Sequence, residues 1–406
     1  MTVLGIVSEY NPFHNGHLYH LKKSIEVTKA DAIVTVMSGN FTQRGEPALF
    51  NKWIRTEAAL KSGINLVIEL PVCYSTSSAE LFAFGAVSLL NSIGIVDYIS
   101  FGSENGDIKE LMEIAKLLST EDNDFKFRLK NFLKAGYSFA RARQLAIDRE
   151  SFNKKLITSP NNILGIEYLK WLIRLESKIV PVTIKRLGPE YNDQELNEAN
   201  HISSATSIRN TLKNGDLEKV LQHLPYSSYE IIRNALLNGQ KPLFKSDMER
   251  LIYYELIKND KIEEIFDVSE GLHKRIKDRI YQSQSLDELL LGIKTKRYAY
   301  SRLSRILFHI LIKYTKNEAN SFNQTGPLYV RILGFDNTGR KIIREMKDKC
   351  ALPIITNLGK QYNNLSETAK KMMHKDILST DIYSLLSSND INIGQDYVRG
   401  PVVITT

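Results

Sequence analysis

The chain has 406 residues, of which 43% are apolar and 25% charged, with a formal net charge of +8. The length predicts two or three domains, and the composition is that of an ordinary globular protein without low-complexity tracts or short repeats. Two cysteines, Cys73 and Cys350, exclude a disulfide framework and lack metal-ligand spacing. The opening Met1–Ile6 has no basic leader, unlike a signal peptide, and no apolar run approaches the ~18 residues that span a bilayer. A cytoplasmic protein with no membrane association is therefore expected, and nothing in the sequence points to an obligate protein partner.

In chain order, Val3–Ser8 reads as a buried strand, Gly16–Lys29 as a helix and Ala32–Met37 as the next strand. Lys52–Ser62 is helical, Leu66–Leu70 a strand stopped by Pro71, and Ala79–Ser92 a strongly apolar helix. Tyr98–Phe101 leads into Gly102, and a long, largely helical insertion precedes a strand at Lys178–Lys185. Strands alternating with helices imply βαβ crossovers and an α/β, doubly wound, Rossmann-like parallel sheet. Ligands on such sheets sit at the carboxyl ends of the strands, which puts the loops after Ser8, Met37, Phe101 and Lys185 around one cleft.

From about Asp216 the pattern turns helical until a strand signal at Tyr329–Leu333. Leu303, Ile306, Leu307, Ile310, Leu311 and Tyr314 make one apolar helix face, with Arg302, Arg305, His309, Lys313 and Lys316 on a second face. Ser321–Pro327 reads as a hinge. The expected division is 1–215 and 216–406, the second part mainly helical and basic, with a subdivision near 325 and a small mixed tail from Leu328. Residues 270–320 hold eleven Lys and Arg against five Asp and Glu, an excess that suits a polyanion-binding surface.

Two segments carry chemistry. The first strand runs into His14-Asn15-Gly16-His17, and a helix follows at once. Attack on the α-phosphate of ATP builds charge on non-bridging oxygens, and catalysis is positioning plus electrostatic stabilisation by preorganised donors. Two imidazoles at a helix N-terminus, His14 before the helix and His17 in its first turn, supply such donors to one phosphate. Gly16 lets backbone approach the nucleotide. The second segment, His201–Arg209, opens a helix with Ser203, Ser204 and Thr206 and places Arg209 in its first turns, which suits β- and γ-phosphates.

In that order the two segments resemble the HIGH-type nucleotidyltransferase superfamily, where an H-x-G-H motif and a later I-S-S-x-x-x-I-R motif flank ATP. Longer strings are more specific. Glu9–His17, Met37–Pro47, Phe101–Asp107, Pro160–Gly165 and Lys294–Tyr298 resemble the bacterial tRNA(Met) cytidine acetate ligase family over nearly the whole chain. The resemblance implies that acetate attacks the ATP α-phosphate to give acetyl-adenylate and pyrophosphate. The wobble cytidine of elongator tRNA(Met) then attacks the acetyl carbon through its exocyclic amine, leaving N4-acetylcytidine and AMP.

By matching position, the resemblance implies an ATP-binding loop of Val7, Ser8, Glu9, Tyr10, Asn11, Pro12, Phe13, His14, Asn15, Gly16, His17, Leu18, Tyr19 and His20, with His14 and His17 catalytic. It adds Gly102 at a strand end, Asn162 at a helix start with its amide on adenine or ribose, Arg186 and Leu187 at the nucleotide edge, and Ser203, Ser204, Thr206 and Arg209 on the triphosphate. Met37–Pro47, with Gln43 and Arg44, is the expected lid. Lys294, Lys296, Arg297, Arg302 and Arg305, with Tyr298 for base stacking, are the expected tRNA contacts. Mg²⁺ is expected on the triphosphate, and Glu104 and Asp107 are the nearest acids, although no acidic cluster identifies its ligands. A small-molecule adenylyltransferase would leave the basic half without a task, and a non-catalytic RNA-binding protein would leave His14 and His17 idle.

Overall fold

Strands buried on both faces read as continuous apolar runs, and the first three strands here have that property. The computed structural model describes residues 1–147, 154–187, 195–196, 201–387 and 391–405. Its first half runs β1 (Val3–Ser8), α1 (Asn15–Thr28), β2 (Ala32–Ser38), α2 (Lys52–Lys61), β3 (Leu66–Leu70), α3 (Val72–Ser75), α4 (Ala79–Ser92) and β4 (Tyr98–Ser103). The helical insertion follows as α5 (Ile108–Thr120), α6 (Asn123–Lys134), α7 (Phe139–Ile147) and α8 (Pro160–Arg174), and β5 (Val180–Lys185) closes this half. All five strands pair in parallel, in the spatial order β5-β4-β1-β2-β3.

Alternation along each strand sorts its side chains between two layers. Val34 and Val36 of β2, with Leu66 and Ile68 of β3, pack against α4 residues such as Phe82 and Val87. Ile33 and Met37, with Val67, face the opposite layer and meet Leu21 of α1 and Ala59 of α2. No helix among the described residues is long and apolar enough to cross a membrane.

The remainder runs α9 (Ala205–Lys213), α10 (Tyr226–Leu237), α11 (Glu249–Lys258), α12 (Leu272–Ile280), α13 (Leu286–Ile293), α14 (Tyr300–Leu311), α15 (Lys316–Thr325), β6 (Val330–Phe335) and α16 (Asn337–Lys349). It ends with β7 (Ile354–Ile355), α17 (Leu358–Gln361), α18 (Glu367–Ser387), α19 (Gln395–Val398) and β8 (Val402–Val403).

The tail corrects three expectations. First, β6 pairs antiparallel with β3, and β7 and β8 pair with β6, so the tail from Leu328 extends the first sheet instead of forming a small mixed subdomain. The proposed cuts at 215 and 325 therefore do not isolate a C-terminal unit, and one apolar core runs from β2 and β3 through Leu303, Ile306 and Ile310 of α14. Second, Ser321–Thr325 is the end of α15, not a hinge. A capping box between Thr315 and Glu318 starts that helix, Ala319 and Phe322 bury its inner face, and Gly326 at φ +73 ends it. Third, α14 has no continuous basic face to Lys316, since it stops at Leu311, His309 is wholly buried and Lys313 turns left-handed at φ +49.

A buried ionic cluster closes the seam. Lys52 Nζ of α2 lies 2.7 Å from Glu69 Oε1 of β3 and 2.7 Å from Asp396 Oδ1 of α19. Arg331 of β6 reaches Asp396 at 3.0 Å and Glu69 at 3.3 Å. Two cations facing two carboxylates keep this desolvated group near neutrality.

Candidate active site

β1 ends at Ser8, and the chain then turns through Tyr10, held left-handed at φ +44, before α1 begins. His14 is the N-cap of α1, and its Nδ1 accepts from the Gly16 N–H at 3.0 Å. His17 reciprocates, its Nδ1 accepting from the His14 N–H at 3.3 Å, and the two rings stack with centroids 3.8 Å apart. Acceptor Nδ1 atoms leave Nε2 of each neutral ring as the donor. A Cβ on Gly16 would come within 2.8 Å of His14 Cε1, so this glycine makes room for the capping imidazole.

Burial holds His14 down to about 3, with the charges of Arg186 and Arg209 adding to it, and pushes His17 well below the ordinary imidazole value, helped by His14 and Arg186. Burial, then Arg186, lowers His20 to about 4, while its Nε2 sits 3.1 Å from Ser100 Oγ. The imidazoles are therefore neutral donors at working pH, and Arg186 and Arg209 bring the positive charge.

Facing α1 across the cleft is the N-terminus of α9. Ser204 caps it, its Oγ accepting from the Ser207 N–H at 3.0 Å, and Ser203 Oγ is 2.8 Å from His223 Nδ1. Ser204 thus builds the helix start, and Ser203 ties it to His223. Arg209 donates to the Asn11 carbonyl at 3.0 Å and to Thr206 Oγ1 at 3.0 Å, which orients its guanidinium between the two motifs. Arg55 of α2 ties the strand ends together, donating to the Glu9 carbonyl at 2.6 Å and the Ser38 carbonyl at 3.1 Å.

These pieces enclose a cavity of about 230 Å³. Val7, Ser8, Glu9, Tyr10, Asn11, His14, Gly16, His17, Tyr19 and His20 line it, as do Gly102, Arg186, Leu187, Ser203, Ser204, Thr206 and Arg209. Five expected residues do not. Phe13 and Leu18 pack into the core, and Pro12, joined to Asn11 by a cis bond, shapes the turn. Asn15 donates to the carbonyls of His201 and Gln222, at 3.1 and 2.8 Å, bolting α1 to the second motif.

Asn162 is wholly buried beside the cavity. Its side-chain oxygen accepts from the Glu104 N–H at 3.0 Å, and its own N–H donates back to the Glu104 carboxylate at 3.0 Å, so the amide latches β4 to α8 while Asn161 borders the cavity. The apolar floor of Phe82, Phe101, Leu164 and Tyr168 was not anticipated, because an apolar face that floors a cleft has the same sequence pattern as one that fills a core.

Glu104 is spent on the start of α8 and Asp107 caps α5, and no group of three His, Cys, Asp or Glu side chains suited to a metal occurs among the described residues. The donor set does not fit a protein-held Mg²⁺.

The expected lid is pinned. Phe41 is wholly buried and stacks on Phe308 at 4.1 Å, the turn closes with the Thr42 N–H donating to the Glu46 carbonyl, and a Cβ on Gly45 would meet the Arg305 backbone at 2.7 Å. Only Gln43, Arg44 and Glu46 keep exposure, at the cavity's edge.

The basic surface splits. Lys294, Lys296 and Arg297 are exposed, whereas Arg302 is held by Asp267 at 3.2 Å and lies over the Tyr298 ring, and Arg305 is half-buried, its backbone against the turn at Gly45. Tyr298 is only 6% exposed and donates to the Ser269 carbonyl at 2.7 Å, so it offers no free face for a base. In its place a groove runs between Ala135–Gly136 and α12, lined by Lys274, Lys277, Arg279, Lys296 and Arg297, with Tyr281 86% exposed.

Residues 1–396 match the model of the HIGH Nucleotidyl Transferase family. The tRNA(Met) cytidine acetate ligase of Thermoanaerobacter sp. (strain X514) is 46% identical over 402 residues, covering 98% of this chain and 99% of that protein. The tRNA(Met) cytidine acetate ligase of Clostridium perfringens (strain SM101 / Type A) is 43% identical, over 99% and 100% of the two chains. Two crystal structures of Thermotoga maritima TmcAL, each covering all of both chains, superpose with TM-scores of 0.95 for the apo form (37% identity) and 0.93 for the form bound with alpha-thio ATP (36% identity).

Proposed function

The chain belongs to the tRNA(Met) cytidine acetate ligases of the HIGH nucleotidyltransferase family, and from that premise we propose how its cleft works. ATP binds with its triphosphate between the starts of α1 and α9 and its adenosine toward Gly102, Arg186 and Leu187. Acetate attacks the α-phosphorus. His14 and His17 donate Nε2–H groups to the non-bridging oxygens as charge develops, and Arg209 and Thr206 hold the departing pyrophosphate. Acetyl-adenylate stays in the cleft until the wobble cytidine of tRNA(Met) enters and takes the acetyl group on N4, releasing AMP. Single-stranded loops are the RNA elements whose bases splay out in this way. Among the described residues no side-chain cage for Mg²⁺ occurs, so Mg²⁺ would have to come with ATP itself.

The observation that carries this reading is the stacked, mutually capping imidazole pair, kept neutral and set opposite a second helix N-terminus beside two guanidiniums. That arrangement is complementary to a polyphosphate and supplies donors without a proton equilibrium near pH 7. The basic groove at α12 supports RNA as the acceptor over a small phosphorylated one. Acetate-dependent exchange of labelled pyrophosphate into ATP tests the first half-reaction. Exchange is expected with acetate alone, and none with or without tRNA would remove acetyl-adenylate from the scheme.

A further inference from the structure

Transfer of the acetyl group to N4 needs a group that takes a proton. The exocyclic amine of cytosine is a weak nucleophile whose lone pair is delocalised into the ring, and its addition to an acyl carbon is completed only when the nitrogen loses a proton. His14, His17 and His20 are poor candidates to take it, because the same burial that makes them good donors makes them weak bases.

The sheet order separates the cleft into two halves. Gly102 and Arg186 lie at the ends of β4 and β5, on one side of β1, and mark the nucleotide half. On the other side, over the end of β2, the cavity is bordered by Gln43, Arg44 and Glu46, and the turn carrying them rests through Gly45 on α14. Through that contact the second half of the cleft adjoins the helical region.

Glu9 stands at the end of β1, where the halves join. Its Oε1 accepts from the Gln43 N–H at 2.7 Å, and no other hydrogen bond or ion pair engages the carboxylate among the described residues. Arg55 fixes the Glu9 carbonyl from below, so the side chain projects from a held backbone. We propose that Glu9 is the catalytic base of the second half-reaction, accepting the N4 proton on its free oxygen as the acetyl group is transferred.

The step balances without a further reactant. The N4 lone pair forms the N–C bond, the C–O bond to AMP breaks with its electron pair leaving on the phosphate oxygen, and the proton passes to Glu9 and then to solvent. The groups facing Glu9 fit this duty. Burial pushes its carboxyl above the usual carboxylate range, while Gln43 and the cations Arg209, Arg55 and Arg44 pull the other way and keep the charged form accessible. This inference rests on the acetyl-transfer reading, and its test separates the two.

Synthetic acetyl-adenylate is mixed with enzyme and unmodified tRNA(Met), and the single-turnover transfer rate is followed from pH 5 to 8. Glu9→Gln keeps an oxygen for the Gln43 N–H but cannot take a proton. In wild type the rate rises with pH and levels once the carboxyl is ionised. In Glu9→Gln it falls by about 10²-fold or more and becomes flat with pH, while acetate-dependent pyrophosphate exchange falls by much less. Glu9→Asp keeps a base on a shorter arm and retains a pH-dependent limb at an intermediate rate, which covers the case of a Gln variant that does not fold. Transfer by Glu9→Gln with the wild-type pH rise, or a defect confined to the KM for acetate, would overturn the assignment. No transfer by wild-type enzyme would overturn the acetyl-transfer reading itself.

Discussion

The histidine cleft and the basic helical surface answer to different physics. In the cleft, each polar atom has one place to be. His14 caps α1 through Gly16, His17 returns the bond to His14, and Asn15 spans to His201 and Gln222. On the surface between α12 and α14, cations need only lie near a phosphate path, and several substitute for one another. Stabilising charge at one phosphorus demands positions fixed within a few tenths of an ångström, whereas holding a long polyanion demands only local excess charge. The two regions share one apolar core, which reaches Leu303, Ile306 and Ile310 of α14, and the ionic seam of Lys52, Glu69, Arg331 and Asp396 ties the sheet of the cleft to the C-terminal strands and helices.

The largest effect expected is at that seam. Lys52→Met leaves Glu69 and Asp396 facing only Arg331, and its cost is about 3–5 kcal/mol of stability, read by denaturant titration as one cooperative transition moved to lower midpoint. Two separate transitions, only one of them shifted, would show that the cleft and the helices are independent domains after all. Next is His17→Ala, expected to lower turnover about 10²–10³-fold with little change in unfolding midpoint, as for loss of one oxyanion-stabilising donor. Activity within tenfold of wild type would dissolve the contrast by making the cleft as tolerant as the surface.

Neutralising Lys294, Lys296 and Arg297 together to Gln is expected to weaken tRNA binding and reduce the slope of log affinity against log salt by about 2, with ATP binding unchanged. An unchanged slope would move the RNA path away from this loop. The smallest effect distinguishes structure from recognition. Tyr298→Phe loses the hydrogen bond to the Ser269 carbonyl and is expected to cost about 1 kcal/mol of stability while leaving tRNA affinity alone. Weaker RNA binding at unchanged stability would reinstate Tyr298 as a base-stacking residue.

What the sequence made legible follows the same division. The strand, histidine and Ser-rich segments were readable because helix capping and phosphate binding use the same residues, so local pattern and function coincide at His14 and Ser204. Buried strands β1 to β3 were readable for their apolar continuity. The β3–β6 pairing was not, since an antiparallel partner some 260 residues away leaves no mark in either strand's own pattern. The bond that Asn162 Oδ1 accepts from the Glu104 N–H was not legible, because a side chain that latches two elements has the same address as one that reads a base. Arg305 and Tyr298 looked like surface groups. Only the packing of Gly45 against the Arg305 backbone, and the hydroxyl of Tyr298 reaching Ser269, show that both stand partly or wholly inside the protein.

In the proposed reaction acetate itself, activated in the histidine cleft, becomes the acetyl group on the tRNA. The direct test incubates wild-type and His17→Ala protein with ATP, Mg²⁺, ¹³C-labelled acetate and unmodified tRNA(Met), with unlabelled acetyl-CoA in a parallel reaction, and examines the digested nucleosides by mass spectrometry. Labelled N4-acetylcytidine is expected from wild type with acetate and ATP, almost none from His17→Ala, and none from acetyl-CoA alone. Label absent from cytidine in wild type, or present equally in His17→Ala, would contradict it.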